Sequence, residues 1–182
     1  MRPHLAIAML ALLAGAPAAF AQQAAPSSDV PPVSENKVDT ETFTKTLVSA
    51  NRFEIESSKL AQDKGVAADV KDFAELMVKD HTKAGQDFKM AREKSQTTGS
   101  IAEDSPLLPN DQALLDQLKA LDGEAFQDKY IAVQTQAHKQ AVALFSTYAQ
   151  SGDDPALKEF AKKTLPTLQM HEMHLKDVAA LH

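Results

Sequence analysis

The chain of 182 residues contains no cysteine and no tryptophan, and only two tyrosines. Without cysteine no disulfide can staple it, no lipidated thiol can anchor it, and covalent haem is excluded. Its core must therefore be built mostly from aliphatic side chains and phenylalanine. Basic runs are also missing, with 19 Lys and Arg against 25 Asp and Glu and a net charge of −6. Nucleic acids and anionic membrane surfaces are bound through clustered Lys and Arg, so neither is expected as a partner. No stretch alternates apolar and polar residues as a strand does. A nucleophile elbow, a phosphate-binding glycine loop and a His-Glu-x-x-His zinc-protease motif are all absent, and nothing argues for a hydrolase.

One long apolar run is present, at the start. Arg2 precedes LAIAMLALLAGAPAAF, which is broken by Gly15 and Pro17 and ends at the small-x-small signal Ala19-Phe20-Ala21. A membrane-spanning helix needs roughly 20 apolar residues. Residues 1–21 are read instead as a secretory signal peptide, which places the product in the periplasm or outside the cell with no membrane span after cleavage. Cleavage removes Arg2 and no acid, so the net charge of −6 becomes −7. Residues 22–38 begin QQAAPSSDVPPVSENK, too rich in Pro, Ser and Gln to bury apolar surface, and read as a disordered linker. Residues 39–182 are long enough for one domain with a real core.

That domain is all-α. Helical periodicity runs over about Asp39 to Lys64, Asp69 to Ser95, Glu124 to Gln150 and Asp154 to Leu181. The first two segments are joined by GVAA and the last two by SGDDP, where Asp153 or Asp154 can cap and Pro155 takes the first helical position. Each pair is an antiparallel hairpin. The long stretch between the hairpins carries a short helical piece from Asp111 to Leu121 and can cross the whole bundle, which is the ferritin-like arrangement.

Polar residues that fall on apolar stripes point to function, because burying them is costly unless something satisfies them. At about 100° per residue, Glu54 stands in the seam of Phe43, Leu47, Ala50, Ser57 and Ala61, while Glu56 faces the opposite side. His81 lies among Val70, Phe73, Met77 and Phe88, with Asp80 towards the edge. Tyr130 is on the third stripe, with Gln134 and His138 along one flank and four residues apart. His171 joins Leu157, Ala161, Leu168 and Leu175, with His174 towards the edge of that face. Glu54, His81, His138 and His171 each lie within about a turn of the middle of their helix, so antiparallel packing brings them to one central layer.

Two outcomes fit that layer. Glu54, His81, His138 and His171 can hold one zinc, iron, copper or manganese ion, with Asp80, Tyr130, Gln134 and His174 in support. Alternatively they form a metal-free network of an ionised Glu54 and one protonated histidine, completed by Gln134 and Tyr130, which fixes the register of the bundle. The first outcome describes a mononuclear metal-binding, redox-capable protein. The second describes a binding or stress-related interaction protein.

The segments EIESSKLA, VKDFAELMVKDHTKA, LDGEAFQDKYIAVQTQAHKQAVALF and LKEFAKKTLPTLQMH carry a family resemblance. Over Phe43 to about Leu175 the chain resembles an exported bacterial family, domain of unknown function 4142. The resemblance implies export and a ferritin-like fold, and supplies no reaction. Di-iron members of the wider ferritin-like class carry a glutamate on each of two helices and Glu-x-x-His on the other two. Here Val78 precedes His81 and Leu168 precedes His171 at the glutamate positions, so a bridged ferroxidase centre does not fit.

Three smaller signals remain. Pro166 falls on the outward face of the last helix, where its missing N–H leaves the Lys162 carbonyl to water. Met170, Met173 and His174 form an outward group suited to cuprous ion or to a subunit contact in a homo-oligomer. Non-covalent haem would need a cavity, and the Phe-lined stripes advertise none.

Overall fold

The helix boundaries follow from local chemistry. In the computed structural model, which describes residues 37–95 and 105–182, α1 spans Thr40–Asp63. Asp39 caps it, accepting from the Thr42 amide at 2.7 Å. Gly65 follows at φ 72°, a left-handed position that glycine adopts without steric cost. Helix α2 runs from Ala68 to Glu93, α3 from Pro109 to Lys119 and α4 from Gly123 to Ser151. Helix α5, Pro155–Leu181, begins as expected with Asp154 as the cap and proline next to it. The proposed signal segment and nearly all of the linker lie outside the described residues.

Contacts between elements define a bundle in which α1 packs on α2, α2 on α5, α5 on α4 and α4 on α1. The ends fix the directions. Thr40 at the start of α1 meets the hydroxyl of Tyr148 near the end of α4. His182, just past α5, holds Asp69 near the start of α2 at 3.0 Å. Ser95, after α2, donates to Asp154 before α5 at 2.6 Å. Neighbours are therefore antiparallel all round. The connection from α2 to α4 must travel the length of the molecule, carrying α3 along α1 on the way. Leu108 donates to Ser49 Oγ at 2.7 Å at one end of α3, and Lys64 reaches the Lys119 carbonyl at 3.1 Å at the other. Two helical hairpins joined by a long crossover with a short helix are the expected architecture. No described helix is long and apolar enough to cross a membrane.

The core divides into two apolar clusters. One contains Phe53, Phe73, Met77, Phe126, Tyr130 and Leu175, and the other contains Phe43, Phe88, Tyr148, Leu157, Phe160 and Leu168. Both mix aliphatic side chains with phenylalanine, as expected of a chain without tryptophan. Each such side chain contributes about 1.5–3 kcal/mol by leaving water. Between the clusters along α2, α4 and α5 lie His81, Gln134, His138 and His171, all buried, with Glu54 beside them on α1.

Candidate metal centre

Three helices each place one histidine in the middle layer. His81 from α2, His138 from α4 and His171 from α5 are 6%, 1% and 2% exposed. One ring nitrogen of each lies within 4.8 Å of the other two. The ring centroids are 5.8 Å apart for His81 and His138, 5.6 Å for His81 and His171, and 5.4 Å for His138 and His171.

Each ring is anchored through one nitrogen only. His81 Nδ1 is 3.0 Å from Asn51 Oδ1 on α1. His138 Nδ1 is 3.0 Å from the carbonyl of Gln134, one turn earlier in α4. His171 Nε2 is 3.0 Å from Asp80 Oδ2 on α2. All three partners are acceptors, so each anchored nitrogen carries the proton and donates it. The opposite nitrogens, His81 Nε2, His138 Nε2 and His171 Nδ1, are therefore lone-pair donors, and all three are buried without a hydrogen-bond partner. Metal-binding histidines are held in this way, with the N–H fixed by an acceptor and the bare nitrogen presented inward.

Burial also sets the protonation states. It lowers His81 well below the ordinary histidine value, helped by its two histidine neighbours. It pushes His138 down to about 4, against the Gln134 carbonyl, and lowers His171 despite Asp80. Neutral imidazoles are the form that coordinates a cation. The same burial drives the Glu54 carboxyl up to about 8, although the Gln134 amide pulls it part of the way back. Burial thus favours the un-ionised form of Glu54. The expected metal-free network of an ionised glutamate and a protonated histidine is the opposite of what this environment favours.

The remaining candidates also bond elsewhere. The Tyr130 hydroxyl pairs with Ser58 Oγ at 2.8 Å, and Gln134 Nε2 donates to Ser57 Oγ at 3.0 Å. Glu54 Oε1 is 3.9 Å from His138 Nδ1, while its Oε2 has no partner. Glu54 therefore stands beside the three-nitrogen cluster and is not a member of it. His174 is half-buried, its ring edge-on to Phe73 at 5.2 Å, and stays at the periphery. Each buried polar atom left unpaired costs about 1–3 kcal/mol.

One contributor escaped sequence reasoning. Asn51 lies at the half-buried border of α1 and looks like a surface residue, yet it orients His81. Its position one turn before Glu54 on the same side of the helix was the available signal. Gly85 on α2 faces it, and a Cβ there would come within 3.3 Å of Asn51 Nδ2. Gln134, expected in support, holds His138 through its backbone carbonyl, a group that every residue type supplies.

The absence of a cavity, expected from the Phe-lined stripes, is corrected by the structure. An apolar cavity of about 530 Å³ lies between α1 and α4, lined by Leu47, Phe53, Val133, Leu144 and Phe145, with Glu54, His81 and His138 also on its wall. Alanines at Ala50, Ala137 and Ala141 leave much of this space open.

The family described as Domain of unknown function (DUF4142) matches residues 19–178. The chain belongs to that family. A solved structure, "CopM in the Cu(II)-bound form", superimposes with a TM-score of 0.63 at 13% identity, covering 78% of this chain and 95% of that one. At that identity the likeness concerns the helical fold. No curated protein matches the sequence.

Proposed function

We propose that this DUF4142 protein is a mononuclear metal-binding protein whose ligands are His81 Nε2, His138 Nε2 and His171 Nδ1. The observation that carries the reading is the convergence of three buried imidazoles, each with one nitrogen unpaired. Imidazole donors suit zinc, copper, iron and nickel, and divalent copper binds most tightly among the first-row ions. Copper is also the metal bound by the similarly folded CopM, which makes it the first ion to test. Asn51, the Gln134 carbonyl and Asp80 orient the rings. Glu54 supplies a carboxyl beside His138 and is not needed as a ligand. The ferritin-like bundle serves here as a scaffold for one ion without a ferroxidase centre, and the proposed signal peptide puts the protein in the periplasm or outside the cell.

Elemental analysis of protein purified without chelator tests the reading. Near-stoichiometric metal is expected, with His81→Ala and His138→Ala each losing it. Folded metal-free protein that takes up neither Cu(II) nor Zn(II) on titration would sink the proposal and return the central layer to a structural role in an interaction protein.

A further inference from the structure

Three imidazoles leave a transition-metal ion with at least one open position, the arrangement found where metals take a water or an exogenous ligand. The cavity beside two of the histidines suggests where that position would open. His81 and His138 line the cavity between α1 and α4, whereas His171 does not. Glu54, 4% exposed and with Oε2 unpartnered, lines the same wall. Elsewhere the wall is mostly apolar. A coordinated water occupies only about 30 Å³, far less than the space of about 530 Å³ beside the histidines. That volume falls within the range of about 300–1,000 Å³ that holds small organic ligands.

We infer that this cavity is a ligand pocket for a small organic molecule with an apolar body and one nitrogen or oxygen donor, the body lying between α1 and α4 and the donor completing the metal's coordination. The inference rests on the metal-binding reading above. Leu47, Phe53, Val133, Leu144 and Phe145 cover the body, and Glu54 hydrogen-bonds the head beside the metal. Binding forms one coordination bond and releases the water it replaces, so no electrons are exchanged.

Cobalt-loaded protein tests it, with imidazole and 4-phenylimidazole as probes read by the d–d absorption of Co(II). Both probes are expected to shift the spectrum with cobalt retained, 4-phenylimidazole binding at least ten-fold more tightly. Ala141→Phe fills the cavity from α4, and should abolish that preference while keeping the cobalt and the response to imidazole. Ala50→Phe fills it from α1 and serves the same purpose if the first variant does not fold. A loaded protein whose spectrum does not move, equal affinity for the two probes, or a preference that survives filling would each overturn the pocket and leave metal binding intact. Failure to take up cobalt, copper or zinc at all would overturn the metal reading, and this inference with it.

Discussion

His81, His138 and His171 are each tied to the scaffold by one ring nitrogen and left bare at the other, and Glu54 is buried beside them without a counter-charge. The two residue types respond to pH in opposite senses. Burial pushes the Glu54 carboxyl up to about 8 in the fold from 4.5 in the unfolded chain. Its contribution is complete below the unfolded value and is lost as pH rises through the folded one. The imidazoles are lowered from 6.5, His138 to about 4. Their contribution is complete above 6.5 and is lost as pH falls through the folded values. Metal-free protein should therefore be most stable near pH 6.5, with stability falling above it by up to roughly 1.4 kcal/mol per pH unit. Glu54→Gln is expected to flatten that alkaline side. Urea denaturation in chelator at about pH 6.5 and 7.5 checks this, and identical slopes for both proteins would contradict it. The three histidines were legible because each interrupts an apolar stripe near mid-helix. Asn51 was not, because a border asparagine breaks no pattern, and whether Glu54 joins the cluster or stands beside it depends on distances below the resolution of helical spacing.

At the level of the helices, agreement was closest where the chain carries its own stop and start chemistry. Asp39 before α1, and Asp154 with Pro155 before α5, mark their ends in the sequence, and Pro166 is indeed exposed within α5. The cavity was hidden because alanines count as apolar in a periodicity although they fill little volume. The two aspartate caps differ in what else they hold. Asp39 is exposed and caps α1 alone, whereas Asp154 is buried, receives the Ala156 and Leu157 amides at 2.9 Å, and also receives Ser95 from the end of α2. Asp154→Ala should cost about 2 kcal/mol or more, at the upper end for a lost cap, and Asp39→Ala about 0.5–1 kcal/mol. Chemical denaturation of the two variants measures the difference, and equal losses would show that the link to α2 adds nothing.

For the molecule as a whole, the proposed centre would couple metal to folding, because an unfolded chain does not hold the three imidazoles together. Metal at a free concentration a hundred times its Kd should stabilise the bundle by about 2.7 kcal/mol. The melting temperature is expected to climb with the logarithm of free metal and to stay flat in His138→Ala. A melting curve indifferent to Cu(II) and Zn(II) in the unaltered protein would argue against a preformed site. The crossover between hairpins has a further effect on timing. It leaves His81 in the first hairpin and gives His138 and His171 to the second, the latter on α5, which is made after the other described helices. A chain still leaving the ribosome therefore cannot bring the three proposed ligands together until α5 has been made, so an ion caught earlier finds no complete cage.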